Sequence, residues 1–384
     1  MECYLDQSAT TRIDDEVLDL MLKVYREDYG NPSSMHRKGV EAERYIRTAR
    51  EQIAGTLRVK PGEIIFTSGG TESNNLAIIG SALAHRRSGT KILTSPYEHA
   101  SVLMPMKLLE DMGFTVVYLP TDTSGRIDPE ALKEQMTEDV ILVSVMHVNN
   151  EIGILNPVGA IGTYIKSVNP DVIFHVDAIQ SYGKFALRPN RDKIDLLSAS
   201  GHKIHGPKGT GFLYIKEKTK IRPLLLGGGQ QDGMRSGTEN VPGIAGLGLA
   251  AEKIYAHLQE QTDRMYALRD DFIRKAEEID GCSVNGPRAR EGAPHVVSLS
   301  VKGVRSEVLL HALEEKGVYV SAGSACSSHK RAPSASLTAI GLKKDLLEST
   351  VRFSFAVTTT QEEIDYAAAV LAETIPLLRK YVRS

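Results

Sequence analysis

An α/β fold around a mostly parallel sheet is what this sequence predicts, and three observations carry it. Short apolar runs rich in β-branched residues recur from "EIIFTS" to "GTGFLYIKE" without in/out alternation, which suits strands buried on both faces. Helical patterns separate most of these runs, so right-handed crossovers and a parallel sheet follow. The 384 residues are 41% hydrophobic and 24% charged, enough for a large core and for two or three domains.

The elements follow in order. "RIDDEVLDLMLKVYRE" has a helical period, capped by Asp14 or Asp15. "YGNPSSMHRKG" is a turn-rich break, and "GVEAERYIRTAREQIAGTL" is a charged amphipathic helix. The alternation then runs through "EIIFTS", "KILTS", "TVVYLP", "VILVSVMHV", "DVIFHVDAIQ", "IDLLSASGHK" and "GTGFLYIKE". Residues 12–255 therefore read as one large α/β domain. A long helical stretch from "IAGLGLAAEKIYAHL" to "FIRKAEEI" bridges to a smaller α+β region with "HVVSLSV", "STVRFSFA" and a final helix.

Composition narrows the function classes. Lys and Arg total 46 against 48 Asp and Glu, a formal net charge of -2, so neither nucleic acid nor an acidic membrane is indicated. No apolar run is long enough to span a bilayer, and the N-terminus lacks a secretory pattern. Three scattered cysteines, Cys3, Cys282 and Cys326, make no disulfide framework, and a reduced cytosol fits them.

In open α/β sheets, ligands bind beyond the carboxyl ends of the strands. "GGTESNN" follows the first of these strands. Gly69, Gly70 and Thr71 there fit a phosphate at a helix start, or a plain helix cap. His99 stands at another helix start, where a cap or core role is the commoner one. Asn150, in "NNEIG", reads first as a turn residue. Asp177 ends an apolar strand, where a carboxylate needs a cap, a metal or a protonated nitrogen, and Gln180 lies just beyond it. "SGHKIHGPKGTG" then brings Ser200, His202 and Lys203 together. A zinc site on His202 and His205 is disfavoured, because Gly206 and Pro207 make this a turn and zinc wants three or four ligands. A phosphate-binding glycine turn, a buried acid and a lysine amine are what pyridoxal phosphate needs. Lys203 is then the amine that takes the cofactor aldehyde, with Ser200 and His202 as phosphate contacts.

Nine motifs occur in sequence: "YLDQSATT", "GNPSSMH", "FTSGGTESNN", "EHASV", "HVNNEIG", "HVDAIQS", "SGHKIHGPKGTG", "GGGQQDGMRSGTEN" and "SAGSACSS". On these the chain resembles, nearly end to end, the NifS/IscS-type pyridoxal-phosphate cysteine desulfurases. The resemblance implies a fold type I architecture: a large domain, residues 12–255, with a mostly parallel seven-stranded sheet. A small α+β domain of residues 1–11 and 256–384 would carry the catalytic-cysteine loop. It implies that Lys203 holds the cofactor, Asp177 meets its ring nitrogen, Gln180 its ring hydroxyl oxygen, and His99 stacks on its face and moves protons. Gly70, Thr71, Ser200 and His202 would hold the phosphate, and Thr238 would reach the phosphate of a second subunit, making a homodimer obligatory. Asn150 and Arg352 would hold the substrate carboxylate, with Asn31 nearby; Asn150 also borders the cofactor. Cys326 would be the sulfur acceptor, in a small polar loop edged by His329, Lys330 and Arg331, which favour the thiolate.

The activity implied is conversion of L-cysteine to L-alanine with a persulfide on Cys326. The sulfur then goes to an acceptor or cluster-scaffold protein, for iron–sulfur cluster assembly or tRNA thiolation. A selenocysteine lyase or aminotransferase of the same class is the alternative, and "GSACSS" argues against it. A scaffold that has lost catalysis is disfavoured because Lys203, Asp177, His99 and Cys326 are all present. The departures from the family pattern are Gln7, Gln231 and the basic stretch after Cys326.

Overall fold

The structure is a computed structural model and describes residues 1–122, 124–322 and 334–382. Its strands in chain order are β1 (Cys3–Tyr4), β2 (Ile64–Thr67), β3 (Lys91–Thr94), β4 (Thr115–Tyr118), β5 (Val140–Met146), β6 (Ile173–Asp177), β7 (Leu196–Ser200), β8 (Gly211–Ile215), β9 (Cys282–Asn285), β10 (Val296–Val301), β11 (Val318–Tyr319), β12 (Ser321–Ala322) and β13 (Thr350–Ser354). β2 to β8 form one seven-stranded sheet in the order β2-β8-β7-β6-β5-β3-β4. Pairs from β4 across to β7 are parallel, and β8 opposes both of its neighbours. β5, β6 and β7 are buried along their whole length, which is why their sequences do not alternate.

The reversal at β8 has a chain-length cause. A parallel return needs a crossover of about a dozen residues or more. Residues 201–210 leave no room for one beside β7, so the chain doubles back. That connection, "GHKIHGPKGT", places Lys203 at the carboxyl end of β7.

Apolar cores lie on both faces of the sheet. On one face Val143, Phe174, Leu197 and Phe212 pack with Val17, Ile53 and Leu247 from helices Asp15–Arg26, Arg37–Leu57 and Val241–Ala256. On the other, Ile92, Leu142 and Leu213 pack with Leu76 and Val102 from helices Gly70–His85 and Ala100–Asp111. Of the two candidate caps of the first helix it is Asp14 that accepts the Glu16 and Val17 amides.

A separate core holds Phe272, Leu299, Phe353 and Leu371, around the antiparallel sheet β12-β13-β10-β9 and helices Leu258–Glu277 and Gln361–Val382. Cys3 and Leu5 join this core, because β1 pairs in parallel with β11. Residues 6–11 then run from the small sheet to the large one. The Ser8 amide donates to Ser354 Oγ at 2.8 Å, and the Thr11 amide to the His202 carbonyl at 2.9 Å. Among the described residues, no helix is long and apolar enough to cross a membrane.

One departure from the family pattern has a structural reason here. β2 is an edge strand, and Gln231 closes that edge. Its Oε1 accepts the Phe66 amide at 2.6 Å and its Nε2 donates to the Phe66 carbonyl at 2.9 Å. A carboxylate would supply only the acceptor half of this pair.

Candidate active site

The strand ends converge on Lys203. Its Nζ donates to the carbonyls of Ser8 and, at 2.8 Å, Ala9 on the strap of residues 6–11. Burial, and next the Arg352 charge, push this amine down to about 8, against the pull of Asp6 and Asp177. A second amine lies behind it. Lys184 is buried and donates from Nζ to the Lys203 carbonyl at 2.6 Å, which fixes the turn that presents Lys203. Burial, then the Lys203 charge, push Lys184 to about 7.

Asp177 is the last residue of β6, between β5 and β7. Its Oδ1 accepts the Ile179 amide at 2.9 Å and its Oδ2 accepts Asn74 Nδ2 at 2.8 Å. Burial raises its pKa, against the pull of the Ile179 amide, the Asn74 amide and the charges of His99 and Lys203. A buried carboxylate so placed, held by two neutral hydrogen-bond donors, is suited to a cationic partner. Asn74 also donates to Ser101 Oγ at 2.8 Å, and Ser101 Oγ lies 2.8 Å from His99 Nδ1. His99 caps its helix by accepting the Ser101 amide at 3.1 Å.

The glycine turn faces these groups. Gly69 has φ 145° and ψ -174°, a region closed to other residues, and leads into the helix at Gly70. Among the described residues no hydrogen bond takes the Gly70 and Thr71 amides. A Cβ on Gly69 would sit 3.8 Å from Ser200 Oγ, so the turn and the end of β7 share one cradle. His202 Nδ1 lies 3.2 Å from Thr10 Oγ1, and burial pushes that imidazole down to about 4, so it stays neutral at pH 7. These residues fit pyridoxal phosphate: free helix-start amides for a phosphate, an amine of lowered pKa, and a buried carboxylate at the neighbouring strand end. Gly69→Ala is expected to weaken cofactor binding through about 1–3 kcal/mol of backbone strain. Titration of the apo-protein with cofactor checks this, and unchanged affinity would remove the turn from the phosphate site.

From β13 of the four-stranded sheet, Arg352 reaches toward the same groups. Nη1 donates to the Asn150 carbonyl at 2.9 Å and Nη2 to Asp6 Oδ1 at 2.8 Å, while Nε is buried and unpartnered. Gln180 donates to the Ser8 carbonyl at 3.0 Å, and its Oε1 lies 3.2 Å from His295 Nε2. Two of the expected residues are not drawn in by hydrogen bonds among the described residues. Asn31 Oδ1 accepts the Ser33 amide at 2.9 Å in its own turn, and Thr238 is exposed beyond the glycine-rich loop. Cys326, with His329, Lys330 and Arg331, lies outside the described residues. No group of three or more His, Cys, Asp or Glu that could hold a metal occurs among the described residues.

Several contributors are absent from the sequence reading. The Ser8 and Ala9 carbonyls leave no side-chain signature. Lys184 stands seven residues beyond Asp177 with nothing to mark it as buried. Asn74 and Ser101 do carry a signal: polar residues at positions where helical spacing demands apolar ones.

Known proteins resemble this chain along its length. Residues 3–367 match the family described as Aminotransferase class-V. "Cysteine desulfurase IscS" of Dictyoglomus turgidum is 44% identical over 98% of this chain and 95% of its own. The solved "NIFS-LIKE PROTEIN" superposes with a TM-score of 0.93 at 38% identity, covering 98% of this chain and all 100% of that one. A structure described as "SspA in complex with cysteine" superposes with a TM-score of 0.80 at 34% identity, covering 93% of this chain and 100% of that one.

Proposed function

Because the chain belongs to the Aminotransferase class-V family, we propose that Lys203, Asp177, His99 and Cys326 are the residues through which it works. The chain is a pyridoxal-phosphate enzyme that takes sulfur from L-cysteine. The observation that carries the residue assignment is the Lys203 amine, half-buried just beyond β7 and within the field of Asp177 at the end of the neighbouring strand.

When bound, the cofactor supplies a sink for the electrons left at the substrate α-carbon as its proton is removed. In this reading Lys203 holds the cofactor, and Asp177 pairs with its ring nitrogen and keeps that nitrogen protonated. Gly70, Thr71, Ser200 and His202 hold the phosphate, with Thr238 arriving from a second copy of the chain. Gln180 would meet the ring oxygen, and His99 would cover the ring. Arg352 and Asn150 receive the substrate carboxylate, with Asn31 at the rim; the unpartnered Arg352 Nε supports this, since that N–H is free to donate. The Lys203 amine would also take the substrate α-proton, for which its lowered pKa suits it.

Cys326 then completes the chemistry. Its thiolate sulfur forms a bond to the substrate sulfur as the substrate Cβ–S bond breaks. The electron pair of that bond stays with carbon, which takes a proton, and alanine leaves. The persulfide on Cys326 passes its outer sulfur to an acceptor protein in the cytoplasm, for iron–sulfur cluster assembly or tRNA thiolation. A homodimer is part of this reading, since Thr238 is exposed and so placed to meet a second copy of the chain. Incubating the reductant-free holoenzyme with L-cysteine is expected to yield alanine, one for each sulfur taken up by the protein. Cofactor-loaded protein that yields no alanine would discard the reading.

A further inference from the structure

The chain Asp177–Asn74–Ser101–His99 has a direction. An amide nitrogen only donates, and Asn74 Nδ2 spends its two hydrogens on Asp177 Oδ2 and Ser101 Oγ, each at 2.8 Å. Ser101 Oγ accepts there, so its single hydrogen is free for His99 Nδ1 at 2.8 Å. The Ser101 backbone amide points at the same nitrogen from 3.1 Å. Two donors aimed at one ring nitrogen require a lone pair on it. Turning the Asn74 amide over would set its oxygen against the Asp177 carboxylate, and no rearrangement of side chains reverses a backbone N–H.

We infer that Asn74 and Ser101 are positioning residues that hold the proton of neutral His99 on Nε2, so that His99 meets its substrate as a proton donor. Among the described residues Nε2 has no hydrogen-bond partner, and His99 is exposed. To take a proton at Nε2, the neutral ring would first have to place its own proton on Nδ1, against both donors. The roles therefore divide: Lys203 takes the α-proton, and His99 gives one at Nε2. This rests on the proposed function, in which His99 lies over the cofactor.

The test is nitrogen NMR of the holoenzyme with 15N-labelled histidine, the His99 signals being identified by their loss in His99→Gln. The expected result is an unprotonated Nδ1 and a protonated Nε2. A protonated Nδ1 in neutral His99 overturns the inference, whether or not the protein releases sulfur. An absence of sulfur release alongside a protonated Nε2 would instead count against the proposed function alone. Ser101→Ala, which removes one donor, is expected to lower kcat about threefold to tenfold with KM for cysteine unchanged. Ser101→Thr restores the hydroxyl and is expected to recover most of the loss. An unaltered kcat in Ser101→Ala also overturns the inference, and if that variant does not fold, the NMR of the parent protein decides.

Discussion

Lys203→Ala is expected to stop turnover, with a loss of at least about 10,000-fold, because one amine both anchors the cofactor and removes the substrate proton. Two amines compete for this role, Lys184 buried and Lys203 half-buried. Lys184 has the lower pKa, about 7 against about 8 for Lys203. Acidity alone would favour Lys184. Geometry decides otherwise: Lys184 Nζ is committed to the Lys203 carbonyl and buried, whereas Lys203 Nζ reaches the strap carbonyls of Ser8 and Ala9 and feels Asp177. Borohydride reduction of the holoenzyme is therefore expected to fix the cofactor's mass on the peptide holding Lys203. Mass on the peptide holding Lys184 would sink the assignment. The pH dependence has a definite sign. A lowered lysine pKa means that the neutral, nucleophilic amine forms as pH rises through about 8. Loading of the apo-protein should thus slow about tenfold for each pH unit below 8 and level off above it.

The same comparison shows where sequence is informative. Lys203 and Asp177 are legible because each breaks a pattern: an amine among glycines, and a carboxylate closing an apolar strand. The parallel strands are legible because burial on both faces removes the alternation that a half-exposed strand would show. What holds these groups in place is less visible. Main-chain carbonyls at Ser8 and Ala9 have no residue type to betray them. Asp6 meets Arg352 across 346 positions of chain, and Ser101 meets Asn74 across 27, so neither pair is apparent until the sheet brings its strand ends together. Gln231 looks like a departure from a site motif and proves to be an edge cap on β2, since an amide pairs with one residue of a strand as a neighbouring strand would.

Cys326→Ala is expected to leave the cofactor bound, with its absorbance intact, and to lower alanine formation from L-cysteine by at least about 1,000-fold. The reason lies as much in the other two cysteines as in Cys326. Sulfur attack requires a thiolate. Burial, and next Glu363, push the Cys3 thiol up to about 12, and its Sγ already donates to the Glu363 carbonyl at 3.4 Å. Burial pushes Cys282 up to about 11, in strand β9 of the four-stranded sheet. At pH 8 only about one Cys282 thiol in a thousand is ionised, so neither can stand in for a missing acceptor. Cys326 has the opposite setting in sequence, among serines and glycine with His329, Lys330 and Arg331 close by. Peptide mass spectrometry of the cysteine-treated, reductant-free protein checks both halves. One extra sulfur is expected on the Cys326 peptide of the parent protein and on no peptide of the variant. Added sulfur on Cys282 in the variant, or unchanged alanine formation, would move the acceptor role away from Cys326 while leaving Lys203 and Asp177 in theirs.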